Sequence, residues 1–520
     1  MDETSPIAEH LKILQSRNAF LGKVLPSFLR SSKSEIAYFR CDSDDVFVAY
    51  ARINPGDEIK NQFGISLEIP VVISLHEQLQ PRVLDLFKDL RALSTTDGDI
   101  GILVARDPKA RLYARDKKKV GFPILVLLEK DLGEIHRTSN LRERLAELLR
   151  SINYFDIKGE IRQADQFFGR IDDIQKVSES IRAGQSIGVF GLRKSGKTSL
   201  LLKIRDRLDA AGELSSFITL NEMSSDVDFR LSILERVRES ISVRKEDSFP
   251  KLRLLSKAGT RNTLSADDVR ATWTADLKRI LNHGGSRHVL MVDEVDLANV
   301  EDGELHTRSY EERLAMNRVL RELRGVVQVQ QESPDANLVL LASGVASSVV
   351  TRITRFEEEN QLYQFLSVRS LQPLSISEVR EMVRTLGKRS GLAFKDPQLF
   401  DFLFAEYGGH PQLTRLACSL VAESRTQKSV KAVPYQVKLE DLEDAAENPS
   451  EDAPKFSAAQ TLKGFGKWYA SEYRLIDQGL RARAPVDPAM IPHAIDFGIF
   501  DRTGALRMKT LLRRGYSDDV

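Results

Sequence analysis

At 520 residues the chain exceeds what one hydrophobic core usually serves, so roughly two to four domains are expected. Apolar residues at 42% and charged residues at 29% are ordinary globular usage, which excludes a disordered, fibrous or membrane-embedded class. A net charge of +1 supplies no global field for a polyanion, so any contact with nucleic acid needs a local basic patch.

The opening stretch MDETSPIAEHLKILQSRNAF is acidic and then helical in pattern, with neither a basic leader nor a long apolar run. No secretion signal and no transmembrane stretch is expected. Cys41 and Cys418 lie far apart and provide neither a disulfide framework nor a multi-cysteine zinc site, so a reducing, cytoplasmic setting is expected. The eight histidines show no HExxH or comparable metal-ligand spacing.

Residues 1–150 read as an N-terminal α/β domain. After a helical start, the apolar runs EIAYF, VFVAYARI, IPVVISL, DIGILVA and FPILVLL alternate with turns and helical stretches, which predicts a small sheet that is parallel from Ile69 onward. Asp42, Asp44, Asp45, Asp97 and Asp99 fall in turns, where Asp is a common structural choice, and no base or metal motif accompanies them. Residues 105–121 are the densest basic segment, predicted as a helix carrying Lys109, Arg111, Arg115, Lys117, Lys118 and Lys119. A solvated face is the plainer reading; a phosphate or nucleic-acid contact is the sharper one.

After a helical connector, LRERLAELLRSI, residues 160–370 read as a nucleotide-binding core. Ile171, Ile174, Val177 and Ile181 recur at helical spacing, Gly184 stops the helix, and IGVF follows as a buried strand. Residues 191–198, GLRKSGKT, complete the pattern GxxxxGK[ST] between that strand and a helix that Gly212 ends. Gly191 and Gly196 let the backbone curl around phosphate oxygens, with Lys194, Ser195 and Ser199 in the same loop and helix start. Lys197 neutralises β/γ charge, and Thr198 is placed to ligate Mg2+.

A hundred residues on, RHVLMVDEVDLA gives an apolar strand ending in Asp293 and Glu294. In a sheet carrying such a loop the first carboxylate lies beside the metal and the second polarises an attacking water. Ser343 ends the next buried strand, NLVLLASG, and is either a γ-phosphate sensor or a strand-terminating turn residue. Arg352 and Arg355 are candidates for an arginine finger reaching a neighbouring subunit, with a surface salt bridge as the competing reading.

Residues 371–445 read as a helical lid, with apolar faces at Val379, Met382, Val383 and Leu386 and again at Leu413, Leu416, Ala417 and Leu420. Gly408 and Gly409 break the chain so that His410, Pro411 and the next helix N-terminus can face nucleotide, and Arg415 adds positive charge one turn on.

FFGR (residues 167–170), GLRKSGKTSLL, VLMVDEVD, LQPLS and YGGHPQL together resemble the STAND class of P-loop ATPases within the AAA+ group. The resemblance runs over about half of the chain, residues 167–422, and its five segments occur in the family's order. It implies an ATPase core with ATP/ADP and Mg2+ as cofactors, a lid whose GxP segment is Gly409, His410 and Pro411 with the proline against adenine, and a winged helix after the lid. Residues 494–516 are compatible with that last domain, which is placed over 456–520: helix end, strand, glycine turn, strand and a terminal basic helix. In this class the winged helix acts as an arm that locks or releases the core. DNA docking through Arg502, Arg507, Lys509, Arg513 and Arg514 is the alternative. The acidic, Pro-containing stretch AENPSEDAPKF before it suggests a flexible linker.

The combined expectation is an α/β chain: an N-terminal sensor or effector domain, a P-loop core, a lid and a winged helix. Its function would be that of an ATP-hydrolysing signalling switch, homo-oligomeric on activation, plausible in prokaryotic antiviral defence or stress response, with a separate sensor or effector protein as a further partner. A DNA-associated AAA+ loader or transposition regulator, or an ATPase regulating a catalytic N-terminal domain, are the alternatives.

Overall fold

The computed structural model describes residues 6–42, 44–115, 121–157, 159–242, 249–256, 266–299, 308–331, 338–352, 354–355, 358–360, 362–427 and 432–513. Contacts divide the chain into two compact units: Met1–Phe168 with Ile376–Phe404 and Leu413–Pro454, and Gly169–Ser375 with Ala405–Gln412 and Lys455–Val520.

The first unit is built on a five-stranded sheet of β1 (Glu35–Cys41), β2 (Val48–Asn54), β3 (Ile69–Ser74), β4 (Gly101–Ala105) and β5 (Ile124–Leu128), paired in that order. β1, β2 and β3 pair antiparallel, and β3, β4 and β5 pair parallel, as the alternating pattern from Ile69 predicts. β3, β4 and β5 are buried along their whole length, the pattern of strands covered on both faces. Val71, Ile73 and Ile102 pack on one face with Leu21, Leu25 and Phe28 of the helix Ala19–Arg30. Val72 and Leu103 pack on the other with Val83 and Phe87 of the helix Pro81–Arg91.

The acidic turn residues cap backbone: Asp42 Oδ1 accepts from Asp44 N at 2.8 Å, and Asp97 Oδ1 from Asp99 N at 2.8 Å. Asp97 and Asp99 also receive Lys388 Nζ at 3.2 and 3.0 Å, and Asp99 receives Arg389 Nε at 3.0 Å. These pairs tie the helix Ile376–Arg389 to the amino ends of the parallel strands. Within the basic segment the described residues form the helix Ala110–Arg115, in which Arg111 meets Asp131 at 3.0 Å. Lys117, Lys118 and Lys119 lie outside the described residues.

The second unit carries an all-parallel five-stranded sheet. Its strands are β6 (Ile187–Phe190), β7 (Leu214–Thr219), β8 (His288–Asp293) and β9 (Leu338–Gly344). A short antiparallel ribbon of β10 (Thr354–Arg355) and β11 (Glu358–Glu359) comes before the last, β12 (Ser367–Ser370). The spatial order is β12-β6-β9-β8-β7, so β6, β9 and β8 are interior and the chain crosses over between neighbours. β6, β8 and β9 are wholly buried, and their Val, Ile and Leu content suits strands covered on both faces.

The C-terminal part of this unit holds helices Pro454–Gly466 and Ala470–Ala482 and the short helix Pro492–Asp496. The two strands predicted beyond it reduce to a single antiparallel bridge, Phe500 with Leu506. The described part of the predicted terminal helix is a 3-10 turn, Lys509–Leu512, and residues 514–516 lie outside the described residues. Asp501 explains the shortened strands: its Oδ1 collects Thr503 N at 2.8 Å and Ala505 N at 3.0 Å, curling the chain where a ladder would have continued. The predicted linker is a closed turn between Glu447 and Pro454, held by Ser450 N to Asn448 Oδ1 at 2.9 Å and Ala453 N to Ser450 O at 2.9 Å.

Candidate nucleotide-binding site

Open parallel sheets gather ligands at the carboxyl ends of their strands, and three interior ends of the second unit converge there. β6 feeds the glycine-rich loop directly into the helix Lys197–Ala210. Lys194 (φ 61) and Gly196 (φ 97) adopt left-handed backbone, which turns successive N–H groups inward. The helix has no acidic residue in its first turn, so nothing opposes an anion at its positive end. Gly191 is needed for close approach: a Cβ there would stand 3.2 Å from Leu371 Cβ and 3.3 Å from Leu371 O.

Lys197 is buried and its Nζ donates to Gly191 O at 3.0 Å and Leu192 O at 2.8 Å. Burial pulls its pKa below the usual lysine value, against Asp296, Asp293 and Glu294, which favour the ammonium. Thr198 Oγ1 donates to Asp293 Oδ2 at 2.5 Å, across 95 residues of sequence. Ser343 Oγ donates to the other oxygen of the same carboxylate, and Glu294 N donates to Asp293 Oδ1 at 2.9 Å. Lys197, Thr198, Asp293 and Ser343 therefore lie together at one end of the sheet. Ser199 and Ser195 are buried in the same loop and helix start.

Glu294 takes a left-handed backbone (φ 59), unusual for a side chain with a Cβ and worth about 1–3 kcal/mol of strain, of the kind functional sites store. Burial, then the charges of Asp293 and Asp296, hold its carboxyl above the ordinary glutamate range, and Thr219 Oγ1 donates to it at 3.4 Å. A carboxyl whose pKa burial raises has the character of a general base.

Asp296, which motif reasoning passes over, is a third buried acid. Its Oδ1 accepts Val345 N at 3.0 Å, and a Cβ on Gly344 would fall 2.2 Å from that oxygen. The third carboxylate of VDEVD was visible in the sequence, but not its inward direction. Arg170 is the other missed residue. Its buried guanidinium donates to Ser195 O at 3.3 Å and to Gln372 O, so it braces the loop against the exit of β12.

His410 is buried and its Nε2 lies 3.1 Å from Arg193 O. Because a carbonyl only accepts, the ring nitrogen donates. Burial pushes its pKa down to about 4, so the imidazole is neutral at pH 7. Pro411, half-buried, opens the helix Pro411–Gln427. Arg415 belongs to the first unit, where its buried guanidinium donates to Gln166 O at 3.0 Å and burial lowers its pKa to about 10. Arg352 is exposed just after Ser348–Thr351; the Arg355 backbone is in β10 and its side chain lies outside the described residues. Of the C-terminal basic residues, Arg513 is spent on Glu406, with Nε to Oε1 at 2.5 Å and a second contact at 3.0 Å, and Arg514 lies outside the described residues.

The site's oxygen donors suit Mg2+, a hard cation held by one or two protein oxygens plus phosphates and water. Thr198 Oγ1 and Asp293 Oδ2 already meet at hydrogen-bond distance.

A parallel sheet with this loop after β6 and an Asp–Glu tip on β8 defines a unit of the P-loop type. No protein-family model matches the chain, and no curated protein matches it either. Solved structures similar to it include a Walker-type ATPase of Pyrococcus abyssi, 14% identical over 69% of this chain and 99% of that one, TM-score 0.42. Another is the ORC1 protein of Aeropyrum pernix in complex with DNA, 14% identical over 66% and 78%, TM-score 0.34. A third is Cdc6p of Pyrobaculum aerophilum, 12% identical over 69% and 95%, TM-score 0.36. Among the described residues, no helix is long and apolar enough to cross a membrane.

Proposed function

We propose that the chain is a Mg2+-dependent ATPase of the STAND type that works as a signalling switch, changing conformation or oligomeric state with its nucleotide. The observation that carries the ATPase reading is the meeting of Thr198 with Asp293 beside the buried ammonium of Lys197. In this reading the loop's N–H groups and Lys197 bind the β- and γ-phosphates, while Thr198 and Asp293 would hold Mg2+. The metal, when bound, offsets charge on the transferring phosphoryl group. Glu294 takes the proton of the attacking water, and Ser343 keeps Asp293 aimed. His410, held neutral, joins the lid turn to the loop through Arg193 O, and Pro411 lies against adenine.

The switch reading draws on the STAND resemblance and on the packing of the C-terminal segment against the loop, where a Cβ on Gly464 would stand 2.9 Å from Arg193 Cδ. A role in prokaryotic defence or stress response, inside the cytoplasm, follows from that resemblance. The N-terminal sheet, the lid and the winged helix are its sensor or effector, clamp and arm.

Sizing of the Glu294→Gln protein in ADP and in ATP, with and without DNA, tests the proposal. The switch predicts a larger species in ATP alone, lost when Lys197→Ala is added and indifferent to DNA. One size in both nucleotides counts against it, and a shift that needs DNA favours a DNA-associated ATPase.

A further inference from the structure

The N-terminal sheet and most of the lid belong to the first unit, where buried polar contacts fasten one to the other. Arg389, the last residue of the helix Ile376–Arg389, is buried, and its guanidinium donates to Asp99 Oδ1 at 3.0 Å, Gly121 O at 2.9 Å and Asp165 O at 2.7 Å. The Asp165 carboxylate also receives Arg91 of the helix Pro81–Arg91 at 3.2 Å. Further along the lid, Ser390 Oγ accepts Tyr154 N at 2.9 Å, Asn153 Nδ2 donates to Ser419 Oγ at 2.8 Å, and Arg425 Nη2 donates to Arg150 O at 2.9 Å. Removing one partner of a buried charge leaves the other uncompensated, so these contacts hold sheet and lid as one body.

Two short stretches of chain lead from that body to the phosphate-binding loop. In the first, residues 165–170, two buried lid arginines hold the near end: Arg389 takes Asp165 O, and Arg415 takes Gln166 O at 3.0 Å. The far end is Arg170, which belongs to the second unit and donates to Ser195 O at 3.3 Å and to Gln372 O. The second stretch is the turn at residues 408–410. The helix Pro397–Tyr407 starts in the first unit and leads into this turn, and the helix Pro411–Gln427 returns from it to the first unit. The turn itself belongs to the second unit, where Gly409 O accepts Leu374 N at 2.9 Å and His410 Nε2 donates to Arg193 O at 3.1 Å. Both stretches therefore end on carbonyls of the loop, Arg193 O and Ser195 O.

We propose that Arg389 and Arg415 are positioning residues through which the N-terminal sheet and the lid, acting as one body, set the conformation of the phosphate-binding loop and so regulate the ATPase site. This inference rests on the nucleotide reading of the loop and names the regulation of that site. Each arginine acts through backbone: it fixes a carbonyl at the start of a link of a few residues whose other end braces the loop. Coupling of this kind is reciprocal, so a nucleotide that favours one arrangement of the loop must also shift the sheet and lid.

Hydrogen exchange on the full chain, with and without saturating AMP-PNP and Mg2+, reads that reciprocity in segments outside the loop. In the wild type AMP-PNP should slow exchange at residues 186–199, which include the loop, and change it at residues 94–101 and 384–391 of the first unit. Arg389→Lys keeps the charge but loses the fork that reaches three acceptors, and Arg415→Gln loses the contact to Gln166 O. In both, the loop should still respond, the first-unit segments should not, and AMP-PNP affinity should fall about fivefold or more. Asp99→Asn, at the half-buried partner of Arg389, should uncouple in the same way and serves where an arginine variant does not fold. A wild-type loop response without a first-unit response, or a first-unit response that survives in the variants, overturns the proposal and leaves the loop reading standing. No response anywhere in the wild type removes the nucleotide reading and the proposal together.

Discussion

His410 makes a quantitative demand on the second unit. Burial among Arg170, Lys194 and Lys197 holds its pKa at about 4, against 6.5 for an unhindered imidazole. The unfolded chain therefore binds a proton that the folded chain refuses, and stability rises with pH across that window. It is fully present above 6.5, falls as the pH drops, and levels off below about 4. The full difference corresponds to about 3 kcal/mol, of which about 2 kcal/mol is lost between pH 7.5 and 5. His410→Gln keeps an N–H for Arg193 O and removes the titration. Both tryptophans, Trp273 and Trp468, belong to the second unit, so fluorescence in urea follows it alone. The wild type should lose about 2 kcal/mol more than the variant over that pH interval. Identical pH dependence for the two proteins would refute the claim that the imidazole is held neutral beside the loop.

Glu294, with its carboxyl raised by burial and by Asp293 and Asp296, must lose its proton to act as base. The acid limb of the turnover profile should therefore sit above the ordinary glutamate range, and Glu294→Gln should bind ATP yet turn over about a hundredfold or more slowly. A profile flat through that range, or undiminished turnover, removes it from the chemistry. Gly498 has φ 73, and a Cβ there would lie 2.2 Å from Pro373 Cγ. Gly498→Ala should cost on the order of 2 kcal/mol or more in the same fluorescence assay, and an unmoved urea midpoint would contradict that packing.

What the sequence makes legible is whatever short-range chemistry controls. The loop, its strand and its helix are contiguous, and the acidic tip of β8 announces itself by an apolar run ending in charge. The turn aspartates likewise cap neighbours two residues away. The third acid, Asp296, needs β9 beside it to turn inward, and Arg170 needs Gln372, two hundred residues off, to explain its burial. Tyr469 carries no pattern of its own, because the backbone of Val345 and Ser347 that its hydroxyl meets lies more than a hundred residues upstream. Near the C-terminus local chemistry misled in the other direction: β-prone residues around Gly504 suggested two strands, and the Asp501 carboxylate captured the backbone first.

The central claim is that Lys197, Thr198 and Asp293 act on one metal-bound triphosphate. Calorimetric ATP affinity, with and without Mg2+, on the wild type and on Asp293→Asn tests it most directly. The account predicts that Mg2+ strengthens binding to the wild type and leaves the variant unchanged; an Asp293→Asn protein that keeps the full metal enhancement would contradict it.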